Sequence, residues 1–401
     1  MRQNRALFVL SLAVFSTMAG NSMVIPFLPL YVQQFQVSEF GAGLLFSVHA
    51  ATRIVILPFV GRLSDRWDRK SFLLFGVLCY VLSSLAYVPA HAFLAFILVM
   101  LVHGTATAIV HPIAMAYVGD IAPKGQEGTY SGYLNTALLG GIGGGPLIGG
   151  FLKDHFSMGM NFFVMAGLSV LALLLLALFL PKAESHKKNG AHTTTSQWAL
   201  LSCPPILGIS GFRLGYAMAN ALTWVFLPLL ATHMLPLSTT QVGLLVSVNV
   251  IVSTLVQSPS GRLADRMSKA HLIGIGGALS ALALCAFPWA TNFWQLLFLN
   301  VLVGGTYGIA FPAHVALAME NARNYGMGTV MSLLMIAHGI GMMIGPVIFG
   351  AIARHWDLHY AFWSGGLLNL LLIVLCYPLT QRVMVLSPAA PIENPTPAAA
   401  D

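Results

Sequence analysis

Two arginines stand where arginine is expensive. Arg53 and Arg213 each lie inside an apolar run about as long as a bilayer core is thick, where a guanidinium costs roughly 2.5 to 3.5 kcal/mol on insertion scales. None of the 12 Asp and Glu residues falls in the middle of such a run to offset them. A guanidinium holds carboxylate or phosphate through two parallel hydrogen bonds, so the chemistry on offer is capture of an anion at low dielectric. His49 precedes Arg53 by one helical turn and therefore shares its face. The residues 200 positions later are Asn249 and Ser253, with Gln257 one turn beyond, and Asn21 matches Asn220 in the first and seventh runs. Asn21, His49, Arg53, Arg213, Asn220, Asn249 and Gln257 are thus the candidates to line a water-filled cavity for a bound solute. The competing reading has the two arginines bonding backbone carbonyls freed near glycine and proline, or snorkelling to the interface.

His103, Thr107 and His111 form a second stripe at helical spacing, and His314 and His338 lie in later runs. Histidine titrates near neutral pH, so His103 and His111 are candidates to carry a coupling proton that no embedded carboxylate is there to carry. The competing reading is a neutral, hydrogen-bonding histidine. No further ligands accompany the span-four histidines, and Cys79, Cys203, Cys285 and Cys376 show no CxxC spacing, so no metal site is expected and the cysteines read as packing residues. No nucleophile with a base, phosphate loop or metal cluster appears; neither an enzyme nor a cofactor is expected.

The elements that must position these residues are membrane helices. Hydrophobic residues make up 57% of the 401 and charged residues 8%, far below a soluble domain. Twelve spans are expected, near 6–31, 41–60, 71–89, 92–117, 128–150, 160–180, 203–231, 241–260, 271–289, 293–318, 327–351 and 360–379. The net charge of +7 is sorted by side of the membrane rather than gathered in a stripe, which speaks against nucleic acid. Lys153 and Arg354 fall outside and Arg53 and Arg213 within spans; the other basic residues lie on the side of the N-terminus, so both termini are expected in the cytoplasm.

The chain also repeats itself. Gly61-Arg-Leu-Ser-Asp-Arg66 returns as Gly261-Arg-Leu-Ala-Asp-Arg266, Gly145-Pro146 as Gly345-Pro346, and Pro112, Gly128, Gly150, His155 and Phe162 recur at the same offset. Such a register predicts an all-α membrane protein of twelve transmembrane helices in two pseudo-symmetric six-helix bundles. The bundles are residues 1–181 and 203–382, joined by a polar cytoplasmic linker over 182–202 and followed by a disordered Pro/Ala-rich tail over 383–401.

At these residues the chain resembles the major facilitator superfamily, and within it the twelve-span drug:proton antiporter type. Gly61 to Lys70 is similar to the family's loop between spans two and three (GxLaDrxGrk), with Asp68 where glycine is usual. Gly141-Ile-Gly-Gly-Gly-Pro-Leu-Ile-Gly-Gly150 fits the antiporter signature of span five, and Gly20 with Pro26-Phe-Leu-Pro29 fits the first-span pattern. The resemblance implies a conformational latch made by Gly61, Asp65, Arg66, Arg69 and Asp120, with Asp65 near the start of span eleven and Arg69 paired to Asp120. Its repeat would use Asp265, Arg266 and Glu320, with Glu320 pairing Arg266. Gly141, Gly145, Pro146, Gly149, Gly150, Gly345 and Pro346 would be helix-packing positions. One departure is Met100, which stands where the family's span four carries arginine.

The expectation is therefore a secondary transporter of the bacterial inner (plasma) membrane. It would export a small amphipathic solute, anionic or zwitterionic, such as a drug, siderophore or metabolite, with protons as coupling ion and the monomer as working unit. The rival readings are an organic-anion uptake symporter or uniporter, and a membrane sensor that keeps the fold without transport.

Overall fold

The structure, a computed structural model, describes residues 2–64, 68–123, 125–181, 203–325 and 327–381. Asp65, Arg66, the linker and the tail lie outside the described residues. Every described element is helical. Most helices are apolar around their whole circumference, as lipid-embedded helices are. Large side chains accordingly point outward as well as inward: Phe8 is 69%, Leu178 70% and Trp294 73% exposed, a surface that only lipid would cover.

Span one is a helix over Arg2–Val24 that passes through a 3-10 turn (Ile25–Phe27) and a short helix (Leu28–Val32) to a last turn at Gln33–Phe35. Its repeat, span seven, is helical over Pro204–Ala221, widens into a π-helical turn at Leu222–Phe226 and resumes at Leu227–Met234. Pro26, Pro29 and Pro228 lack the amide hydrogen that would close the ladder, so the irregular turns fall beside them. The other spans are two, Glu39–Ser64; three, Arg69–Ala86; four, Phe93–Ile121; five, Glu127–His155; and six, Met158–Phe179. In the second half they are eight, Thr239–Arg266; nine, Lys269–Ala286; ten, Phe293–Tyr325; eleven, Met327–His355; and twelve, Leu358–Gln381. Among the described residues, eleven helices are long and apolar enough to cross a membrane. Span five, 29 residues long, is diluted in apolar content by its glycines.

The observed helices generally extend beyond the apolar runs, because polar residues continue the ladder to caps such as Ser238, whose side chain and Gln241 form a capping box. Within each half the packing repeats: span one lies on five and six as seven lies on eleven and twelve, and two lies on four as eight lies on ten. Between halves, span two packs on eleven and span five on eight. The fold is two pseudo-symmetric six-helix bundles facing one another.

Candidate functional site

The two halves meet most closely at one end. The positions of their close approaches fix it as the end bearing Glu39, Asp154 and Thr239, opposite the linker. A side chain at Gly43 of span two would collide with the Pro346 carbonyl of span eleven, and one at Gly243 of span eight with the Pro146 carbonyl of span five. Gly150 likewise abuts the backbone of Thr239, and Gly350 that of Glu39 and Phe40. Each half thus supplies the same two contacts. Hydrogen bonds reinforce them, since the Leu147 amide, one residue past the proline, donates to Ser247 Oγ across the halves at 3.0 Å. Further in, Gly143 of span five approaches Ile251 of span eight, and Gly339 of span eleven approaches Ile54 of span two.

Asp154 fastens this closed face. Its carboxylate accepts the backbone N–H groups of Thr239 at 2.8 Å and Thr240 at 2.6 Å, capping span eight from the other half. Helix-cap losses are about 1 kcal/mol, and a charge at a helix N-terminus adds comparably. Asp154→Ala should therefore shift the balance roughly ten- to thirtyfold toward separation at this face. Spin labels at Phe156 and Trp356, exposed and in different halves, should report a growing long-distance population; an unchanged distance distribution would show the contact to be incidental. Nearby, in the turn between spans eleven and twelve, Asp357 accepts a hydrogen bond from His359 at 2.7 Å. Partial burial raises its pKa, but the bonds from His359 and Leu358 and the charges of His359 and His233 outweigh that and hold the carboxyl below the usual range. This contribution to stability is present above the unfolded carboxylate pKa and is lost as pH falls through the lower folded value.

Further in lie the basic residues. Arg53 and Arg213, one from each half, flank the same stretch of span eleven: a side chain at Gly339 would meet Ile54, next to Arg53, and one at Gly341 the backbone carbonyl of Leu214, next to Arg213. His338 precedes Gly339 in that stretch, and His314 Nε2 of span ten lies 3.0 Å from the Ile209 carbonyl of span seven, one turn before Arg213. Among the described residues neither guanidinium has a carboxylate or hydrogen-bond partner. Arg213 instead lies over the rings of Phe311 at 5.2 Å and Tyr216 at 5.9 Å, and Tyr216 stacks on Tyr307 at 3.9 Å. A cation over aromatic faces gains electrostatic energy while its N–H edge stays available. Like charges gathered this way leave a strong positive potential that an anion would neutralise.

Several candidate residues are engaged elsewhere. His103 is fully buried, with Tyr87 Oη at 2.9 Å from Nδ1 and Asn21 Oδ1 at 2.6 Å from Nε2. Tyr87 can donate to Nδ1 while Nε2–H donates to Asn21, which defines a neutral imidazole with both nitrogens satisfied. His49 shares Thr107 with Tyr80, at 3.1 and 3.3 Å, so its ring belongs to the same network inside the first half. Asn249 donates to the side chain and backbone of Asn300, and Gln257 donates to Ser253 at 3.1 Å. Asn220 accepts from Thr223 at the widened turn of span seven. Met100 is buried against Tyr87 Oη, so an arginine's place is filled by core packing.

At the linker end, Arg69 Nη1 lies 2.9 Å from Asp120 Oδ2. Glu320 is bound by Lys269 Nζ at 2.8 Å, which corrects the pairing expected with Arg266. The reason is positional: Lys269 opens span nine as Arg69 opens span three, whereas Arg266 is the exposed last residue of span eight. The small residues of span five fit against span one. Side chains at Gly141, Gly145 and Gly149 would collide with the backbone of Phe15, Ala19 and Met23 in turn, and Ser22 Oγ donates to the Gly141 carbonyl at 2.9 Å. Gly345 approaches Met218 of span seven in the corresponding place.

Two six-helix halves, sealed at one end around a polar interior, have the architecture of a membrane carrier rather than an enzyme. The sequence model of the Major Facilitator Superfamily matches residues 10–218 and again 209–398, once for each half, and the chain belongs to that superfamily of transporters. It is 27% identical over 381 residues to an uncharacterized MFS-type transporter of Methanocaldococcus jannaschii, covering 94% of this chain and 98% of that one. It is 29% identical over 371 residues to the multidrug resistance protein MdtG of Salmonella heidelberg, covering 89% and 91%. The crystal structure of the nucleoside transporter NupG is similar in fold, with a TM-score of 0.80 over 94% of this chain and all of that one at 14% identity.

Proposed function

We propose that this transporter exports a small amphipathic anion or zwitterion across the plasma membrane by alternating access. The observation that carries the reading is the pair Arg53 and Arg213, brought from opposite halves to the same stretch of span eleven and without a carboxylate partner among the described residues. Export is favoured by the span-five signature and by the name of the related multidrug resistance protein. The linker end is taken as cytoplasmic, so the closed face is external and the conformation is open inward. Arg69 with Asp120, and Lys269 with Glu320, already paired within their own halves, would hold the cytoplasmic ends of spans three and four, and of nine and ten, in place for a latch to close on. Protons are the proposed coupling ion. With both His103 nitrogens satisfied, His111 is the better-placed carrier of the two candidates.

The charge reading is tested in proteoliposomes under an imposed pH gradient, with solutes matched in size that are anionic, neutral or cationic. Anions should accumulate in preference; selective movement of lipophilic cations would refute the reading. Orientation is tested separately by single cysteines in intact cells. A cysteine at Ser157 should react with a membrane-impermeant thiol reagent and one at Gly190 should not. The opposite pattern would invert the topology.

A further inference from the structure

One difference between the halves is made conspicuous by their shared origin. In the first half, the space between spans three and four is filled by Tyr80, Val77 and Val110, none more than 1% exposed. Their counterparts 200 residues later are Ser280, Gly277 and Ala310, each much smaller. Part of that volume is retaken from the facing wall, where Tyr307 and Phe311 stand for Thr107 and His111, and the space that remains is a pocket inside the second half, between spans seven, nine, ten and twelve. Arg213 and Phe311 line it together, so it adjoins the basic cluster. A water-sized sphere can be centred within about 50 Å³ of it, room for several waters or one aromatic ring and too little for a large drug.

The wall chemistry is specific. Apolar and aromatic faces from Phe212, Tyr216, Ile273 and Ile373 surround the space, as in ligand pockets generally. Ser280 and Asn369 also line it, 8% and 7% exposed, and among the described residues neither side chain has a hydrogen-bond partner in the protein. Their polar groups face the pocket rather than the packed core, so they are free to bond an occupant in place of water. The pocket therefore presents a cation, an apolar ring-sized space and a pair of neutral hydrogen-bonding groups.

We propose that this pocket is the specificity subsite of the transporter and takes a hydroxylated aromatic carboxylate, with the carboxylate on Arg213, the ring among the apolar walls and the hydroxyl on Ser280 and Asn369. The proposal rests on the anion reading given above and narrows it to one chemical class.

The test uses the purified full chain in nanodiscs, titrated with 4-hydroxybenzoate, benzoate and 4-hydroxybenzamide while binding is followed calorimetrically. The wild type should bind 4-hydroxybenzoate at least tenfold more tightly than either analogue. Ser280→Ala, which removes one hydroxyl and leaves packing intact, should reduce that preference over benzoate severalfold without weakening benzoate. Ser280→Tyr, restoring the residue of the first half, should weaken both aromatic carboxylates at least tenfold; if it fails to fold, the Ala variant still decides. Equal binding of 4-hydroxybenzoate and benzoate by wild type, or a preference unchanged in Ser280→Ala, overturns the subsite. If octanoate binds in an Arg213-dependent way while the aromatic acids do not, the subsite is wrong and the anion reading stands. If tetraphenylphosphonium binds and none of the anions does, both are wrong.

Discussion

Arg213→Gln and Arg53→Gln should each lower transport of an anionic solute by about one to two orders of magnitude while leaving protein abundance largely intact. The magnitude follows from hydrogen bonds to charged groups, worth roughly 1.5 to 3 kcal/mol, in a cluster where no acid competes for the guanidinium. Gln keeps hydrogen-bonding capacity and much of the length, so the loss reports charge. Lys should rescue only in part, because its ammonium is a point charge without the planar fork. The Arg213 variant should lose more, since its guanidinium is already held over Phe311 and Tyr216 and loses less freedom on binding. The measurement is solute flux into proteoliposomes, normalised to reconstituted protein. Unchanged anion flux in both Gln variants would make the arginines structural.

The other large effect is steric. Gly145→Leu should abolish transport, because even a Cβ at this position would meet Ser22 and the Ala19 carbonyl of span one, and a backbone carbonyl cannot turn aside as a side-chain end can. Gly144, the preceding residue, provides the control: a side chain there meets nothing within 4 Å, so Gly144→Ala should be tolerated and can gain slightly in helix stability. Flux is compared with the monodispersity and melting temperature of the purified proteins. An inactive but well-folded Gly145→Leu would place the requirement in movement, and an unfolded one would place it in assembly. Full activity would show that the close approach is dispensable.

Much of this architecture is legible along the chain. Hydropathy marks the spans because a bilayer admits only helices that satisfy their own backbone, and an offset of 200 residues exposes the two halves because a repeated fold repeats its glycines and prolines. Pro26, Pro29 and Pro228 mark where spans one and seven become irregular, a purely local consequence of a missing amide hydrogen.

The assignment of individual polar residues is not legible in the same way. Helical spacing puts His49 and Arg53 on one face, but a face has several neighbours, and which one it meets depends on crossing angles between helices distant in sequence. His49 turns to Thr107, Asn21 to His103 and Asn249 to Asn300, so residues grouped by spacing find hydrogen-bond partners within their own half. The capping box at Ser238 and Gln241 announces the start of span eight, yet nothing local shows that Asp154 arrives there from the other half. The pocket under Arg213 is invisible for the same reason. Ser280, Gly277 and Ala310 are unremarkable small residues in an apolar stretch, and the space they leave exists only where spans seven, nine, ten and twelve converge. By itself the sequence determines the membrane helices, their repeat and the embedded positive charge, since these follow from local composition and backbone chemistry. Only the tertiary structure decides which charges face each other, which polar groups are already satisfied and where space is left, since packing between distant helices sets all three.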